Sequence, residues 1–180
     1  MLSYYPDPKV YSNFISVEEC EYIIDCNRDK MKKATCGGKS CGRVSPDREA
    51  YSASNTDKDL NKKIFRRVLE RIKPDVYAHE NLQIVKYEQN GFYKEHLDNP
   101  MDVKSQPELR RNYTLILILN DDYEGGETYF PYLKKRFRLK RGDALFFHNY
   151  DNLGRLSRYA VHGGDIVKRG EKWIANLWLR

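Results

Sequence analysis

His96 and Asp98 close the stretch Tyr87-Glu-Gln-Asn-Gly-Phe-Tyr-Lys-Glu-His96-Leu-Asp98, and a second histidine, His162, lies far downstream in Arg158-Tyr-Ala-Val-His-Gly-Gly. In a β-strand, residues i and i+2 share a face, so a His-x-Asp can place an imidazole nitrogen and a carboxylate oxygen on one metal ion. Two histidines and one carboxylate form the facial set that leaves positions open on non-haem Fe(II), where a 2-oxo acid and O₂ bind together. Ten residues beyond His162, Lys172 opens the apolar run Lys-Trp-Ile-Ala-Asn-Leu-Trp-Leu-Arg180. Its ammonium would hold the far carboxylate of the co-substrate.

Each of these residues also has a plain structural reading. A strand histidine is more often a hydrogen-bonded structural residue, and His162 before Gly-Gly could serve a turn. The ten-residue step from His162 to Lys172 is what turns the reading toward a ligand. Lys172 itself could be a solvated charge at a strand start. Neither His79 nor His148 shares this spacing, and both are read as structural or exposed.

The surrounding pattern supplies the scaffold. Leu82-Gln-Ile-Val-Lys-Tyr87 alternates as a strand should, and Asn90-Gly91 turns the chain into Phe92-Tyr-Lys-Glu-His96. Tyr113-Thr-Leu-Ile-Leu-Ile-Leu119 is nearly all apolar, as expected of a strand buried on both faces. Further short strands are expected at 127–130, 134–139 and 144–148, separated by the turns Asn120–Gly126 and Arg141-Gly-Asp143. Before them, Ser16-Val-Glu-Glu19 is a capping box opening a helix to about Met31, with Val17, Cys20, Ile23 and Ile24 on one face. Thr56 and Asp57 can cap a second helix bearing Leu60, Ile64, Val68 and Ile72, widened by Phe65 and Leu69 and ended by Pro74. Residues 32–55 show no sustained period and read as a long, mobile loop. The expected class is α+β, mainly β: a β-sandwich or jelly roll with buttressing N-terminal helices, in one domain over 1–180, with support in 1–80 and the core in 81–180.

Composition excludes little. No apolar run approaches the ~18 residues of a membrane span, and the N-terminus carries neither a basic n-region nor an apolar h-region. An intracellular, cytoplasmic protein is therefore expected. Cys20, Cys26, Cys36 and Cys41 make no zinc pattern and read as reduced thiols, a Cys36–Cys41 disulfide being the alternative. The net charge of +6 is dispersed rather than gathered in a stripe, which suits a solvated basic surface better than a nucleic-acid interface. Fourteen tyrosines suit a groove that grips a peptide, and equally a half-exposed sheet.

From Leu82 to Arg180 the sequence resembles the prolyl 4-hydroxylase family of Fe(II)- and 2-oxoglutarate-dependent dioxygenases. The matching pieces arrive in order: Tyr87 to Asp98, Arg111-Asn-Tyr-Thr114, Gly125-Gly-Glu-Thr128, Gly142-Asp-Ala-Leu-Phe146, and His162-Gly-Gly-Asp-Ile-Val-Lys-Arg-Gly-Glu-Lys172. The resemblance implies a double-stranded β-helix, Fe(II) on His96, Asp98 and His162, and 2-oxoglutarate on Lys172 with Tyr87 and Thr128. It implies O₂ as co-substrate, ascorbate as reductant, and a proline-containing peptide as partner. Tyr93, Arg111 and Trp178 match positions lining the peptide groove, and Arg48 matches an arginine that closes over the substrate. Two features depart from a single subfamily. Ile118 stands where collagen-type enzymes often carry a tyrosine. Asn99-Pro100 is similar to the oxygen-sensing prolyl hydroxylases, whereas Lys172 is similar to the collagen type.

The implied reaction decarboxylates 2-oxoglutarate to succinate and CO₂ and hydroxylates the target carbon. A carboxylate in the ligand set leaves no metal position for halide, which argues against halogenation. The same chemistry on another substrate, nucleic-acid demethylation or hydroxylation of another residue or a small molecule, is the alternative, and Lys172 speaks against a demethylase. A binding module without turnover is the third reading.

Overall fold

The computed structural model describes residues 2–35, 45–99 and 109–180. In chain order the elements are β1 (Lys9–Tyr11), α1 (Val17–Asn27), β2 (Lys32–Lys33), β3 (Arg48–Glu49), β4 (Tyr51–Ser54), α2 (Lys58–Arg71), β5 (Gln83–Tyr87) and β6 (Phe92–His96). They continue with β7 (Tyr113–Ile118), β8 (Glu124–Gly125), β9 (Thr128–Phe130), β10 (Lys135–Phe137), β11 (Ala144–His148), β12 (His162–Gly164), β13 (Val167–Arg169) and β14 (Lys172–Leu179). Every strand pairing among them is antiparallel. A seven-stranded sheet runs β1-β11-β7-β14-β5-β4-β2, a five-stranded sheet runs β10-β9-β12-β6-β3, and β13 and β8 form a ribbon. Among the described residues no helix is long and apolar enough to cross a membrane.

Strand alternation sorts the large sheet into two faces. Leu115, Leu117, Ala144, Phe146, Trp173, Ala175, Leu177 and Ile84 join Cys20, Ile23, Leu60, Ile64 and Val68 of the helices in one core. The intervening residues Val85, Tyr87, Ile116, Ile118, Leu145, Phe147 and Ile174 face the other way, into a second core shared with Phe130 and Val167. The helices therefore buttress one face of the large sheet, and the other face is free to line a site.

The caps hold that buttress in place. Glu19 N–H donates to Ser16 Oγ at 3.2 Å and Ser16 N–H to Glu19 Oε2 at 2.9 Å, the expected capping box. Arg67 of α2 grips the same Glu19 carboxylate with two bonds of 2.8 and 3.0 Å, clamping the helices together. Asp57, rather than Thr56, caps α2 through Asp59 and Leu60 N–H. Two stripe positions differ from the sequence reading: Val17 is 42% exposed and Leu69 is 40% exposed, while Phe65 packs on His79 at 4.3 Å. Helix α2 ends before Pro74, with Lys73 in the left-handed region at φ 55°.

The expectation of a mobile loop over 32–55 is corrected where the structure describes it. β4 joins the large sheet beside β5, β2 pairs with β4, and β3 joins the small sheet beside β6. Strands of two to four residues carry no legible period, and they exist because β5 and β6 offer open edges. Residues 36–44, with Cys36 and Cys41 and their alternative disulfide, lie outside the described residues, as does Pro100 of the Asn99-Pro100 pair. Cys20 and Cys26 are free thiols.

Candidate active site

The small sheet brings the two histidines together. β12 runs antiparallel to β6 with His162 directly opposite His96, and their ring centroids lie 4.4 Å apart. Asp98 is not on the strand, as the i, i+2 argument supposed, but two residues past its end. A bonded lattice rather than the pleat holds it there. Arg111 Nη1 donates to the Asp98 carbonyl at 2.7 Å, and Asn99 pairs with both backbone groups of Arg111 at 2.9 and 3.0 Å. The Asp98 side chain lies between the rings, with Oδ1 3.6 Å from His96 Nε2 and Oδ2 3.8 Å from His162 Nε2. One ligand atom from each of the three residues lies within 4.8 Å of the others.

The donor set fits a divalent first-row metal. His96 Nδ1–H donates to the Lys94 carbonyl at 2.8 Å and His162 Nδ1–H to the Ala160 carbonyl at 3.0 Å, so both Nε2 lone pairs turn toward Asp98. Burial, with the neighbouring His96, pushes His162 down to about 4, leaving the neutral imidazole a metal requires. Burial alone would raise the Asp98 carboxyl. The flanking His162 and His96 rings and the Thr114 hydroxyl, 2.6 Å from Oδ2, outweigh it and hold the group well below the usual carboxylate range. Phe130 and Phe147 pack on His162 at 5.6 and 4.8 Å and shut water from that side.

The large sheet contributes the second half. Lys172 on β14 lies opposite Tyr87 on β5, and its ammonium is 5.4 Å above the Tyr87 ring. Only 3% exposed, it donates to the Gly126 carbonyl at 2.7 Å and has no carboxylate within ion-pair distance among the described residues. Burial, then the Arg138 charge, lowers it to about 8. Gly125-Gly126 is the expected turn, with φ of 71° and 68°, and it also aims that carbonyl. Thr128 is buried on β9 opposite Gly164. A side chain at neighbouring Gly163 would strike the Tyr129 ring at 2.6 Å.

The remaining predicted residues form two walls. Tyr93 stacks on His96, centroids 3.6 Å apart at 17°, and the Arg48 guanidinium lies 4.6 Å from the Tyr93 ring centre. Arg48 is no loop residue: it sits on β3 opposite Tyr93, is 5% exposed, and its Nε has no hydrogen-bond partner among the described residues. On the far side Arg111 lies 3.6 Å over Trp178, and Glu80 holds Arg111 at 2.7 and 2.8 Å. The Trp178 indole N–H is buried without a hydrogen-bond partner among the described residues. His79 and His148 lie outside the cluster, His79 against Phe65 and His148 against Tyr113. Sequence reasoning missed Glu80, Thr114 and Asn149. Only Thr114 left a signal, as a lone hydroxyl inside an apolar strand.

Two antiparallel sheets presenting a two-histidine, one-carboxylate cluster beside a buried lysine that has no carboxylate partner among the described residues suit a non-haem metal oxygenase site. Comparison with known proteins agrees. Residues 82–180 match the 2OG-Fe(II) oxygenase superfamily. A protein named putative prolyl 4-hydroxylase from Acanthamoeba polyphaga mimivirus is 31% identical over 98% of this chain and 75% of its own length. Probable prolyl 4-hydroxylase 10 of Arabidopsis thaliana is 30% identical over 100% of this chain and 71% of its own length. Among solved structures, the viral collagen prolyl hydroxylase of Paramecium Bursaria Chlorella virus-1, as its 2OG complex, aligns over 96% of this chain and 95% of that one, with TM-score 0.74 and 28% identity. The chain belongs to the prolyl 4-hydroxylase family of 2-oxoglutarate- and Fe(II)-dependent oxygenases.

Proposed function

We propose that this chain hydroxylates peptidyl proline, with His96, Asp98 and His162 holding Fe(II) and Lys172 holding the distal carboxylate of 2-oxoglutarate. The observation that carries this reading is the buried Lys172, lacking a carboxylate partner among the described residues, together with the His-Asp-His cluster. When bound, Fe(II) with 2-oxoglutarate and O₂ supplies oxidative decarboxylation to succinate and CO₂ and the oxidising power to hydroxylate an unactivated C–H bond.

The chain's own residues bind, orient and exclude. A five-carbon diacid entering between the sheets meets the buried Lys172 ammonium, while the Tyr87 and Thr128 hydroxyls hold the same end. The Lys172 ammonium gains its missing counter-charge in a site where burial strengthens the pairing. Tyr93 on one side and Trp178 with Arg111 on the other are suited to a peptide in extended polyproline conformation, which docks on aromatic walls. Arg48, fixed over Tyr93, steadies that wall. We read the two sheets as a double-stranded β-helix, and residues 1–180 as one catalytic domain whose helices support the large sheet.

The test is succinate formation with Fe(II), 2-oxoglutarate and O₂, with and without proline-rich peptides. Stimulation by peptide supports the assignment. Stimulation by methylated nucleic acid instead would replace it.

A further inference from the structure

Asp98 Oδ2 is held by a chain of two side chains that the reaction itself does not require. Thr114, at an inward position of β7, lies 2.6 Å from Oδ2, and Asn149, just beyond β11, lies 3.1 Å from the Thr114 hydroxyl. The directions of these bonds are fixed by chemistry. An ionised carboxylate only accepts, so the Thr114 proton must point at Asp98; the Thr114 oxygen must then accept, so Asn149 must turn its Nδ2 toward it. The Asn149 Oδ1 pays for this orientation by standing buried with no hydrogen-bond partner among the described residues. Asn149 is held in place by its backbone, with N–H to the Asn112 carbonyl at 2.9 Å and its carbonyl receiving Ser157 N–H at 3.1 Å. Thr114 is 1% exposed and Asn149 is fully buried, so both partners sit away from bulk solvent.

We infer that Asn149 and Thr114 form a positioning relay that caps Asp98 Oδ2, fixes the carboxylate's rotation, and leaves Oδ1 as the oxygen with free lone pairs for a metal. This rests on the reading of His96, Asp98 and His162 as metal ligands. Without the cap the carboxylate can turn and offer both oxygens, occupying a position the facial set should leave open.

The experiment titrates the metal-free protein with Co(II) alone, following the visible absorption of the bound ion, whose intensity and shape report coordination number and ligand geometry. Thr114→Val is expected to bind Co(II) about 10- to 100-fold more weakly, with an altered spectrum. Thr114→Ser, which keeps the hydroxyl, is expected to retain the wild-type affinity and spectrum. Asn149→Ala is expected to shift both readouts in the same direction as Thr114→Val. The double variant should be no worse than Thr114→Val alone, because one residue acts through the other. Additive losses, or a Thr114→Val protein with wild-type affinity and spectrum, would overturn the relay while leaving the metal site intact. A wild-type protein that binds no Co(II) would overturn the ligand assignment and the relay with it. Thr114→Ser separates a lost hydrogen bond from a damaged fold, since both changes remove a methyl or a hydroxyl from the same buried position.

Discussion

Replacing Lys172 with methionine should make the empty protein more stable and the enzyme inactive. The buried ammonium drops from 10.5 to about 8, and at about 1.4 kcal/mol per tenfold change holding it charged costs about 3 kcal/mol. Methionine fills similar volume but leaves the Gly126 carbonyl without its 2.7 Å donor, a loss of about 1 kcal/mol. The net gain is about 2 kcal/mol, or ~4–8 °C in Tm for a protein of this size. The pH dependence has a definite sign. An unfolded lysine binds its proton more tightly than this folded one, so the wild-type deficit is full below pH about 8. It shrinks as pH rises and is gone above the ordinary value of 10.5. Melting curves of both proteins across this range, with and without 2-oxoglutarate and a metal, read stability and binding together. The wild type should gain stability from 2-oxoglutarate, and the variant should lose affinity for it on the order of 10²- to 10³-fold, the effect of removing one member of a buried charge pair. A variant that melts below the wild type at pH 7, or that keeps the full response to 2-oxoglutarate, would refute the reasoning.

Other substitutions separate the parts of the site. His162→Ala should remove the metal-induced rise in Tm and all metal-dependent succinate formation, checked by calorimetry and product assay, because among the described residues the cluster holds no fourth ligand to take its place beside His96 and Asp98. Trp178→Ala should raise the peptide KM at least tenfold while changing the 2-oxoglutarate KM little, since Lys172 lies at the other end of β14; an equal rise in both would place Trp178 in the co-substrate pocket. Glu19→Gln, which can keep the capping box, should destabilise the chain by about 1–2 kcal/mol through loss of the charged clamp to Arg67 and Lys63, seen by urea unfolding. Burial would raise the Glu19 carboxyl, but Arg67 and Lys63 hold it at about 2. Its contribution is thus present above the ordinary 4.5 and lost as pH falls toward 2, and the gap between wild type and variant should close over that window.

Residues whose roles depend on spacing along one element were legible in the sequence. The Ser16 capping box, the Leu60, Ile64 and Val68 stripe of α2 and the nearly unbroken apolar run of β7 each follow from local periodicity, and each stands in the fold. His96, Asp98, His162 and Lys172 were found by type and order, and the sheets bring the three metal-ligand candidates into one cluster. What stayed hidden depends on pairing between distant segments. Strands β2, β3 and β4 exist by edge pairing to β5 and β6, so their own residues carry no period. Arg48 read as a loop arginine because β3 has only two residues. Glu80 and Asn149 act on Arg111 and Thr114 from outside any motif, and nothing in their own sequence neighbourhood marks them.

The central claim is tested most directly by incubating the protein with Fe(II), 2-oxoglutarate, O₂ and a proline-rich peptide, then weighing the peptide and counting succinate. The account predicts that the peptide gains the mass of one oxygen atom on proline, in step with succinate and only with the His96, Asp98 and His162 set intact. Succinate without any oxygen on the peptide, or no metal-dependent turnover at all, would contradict it.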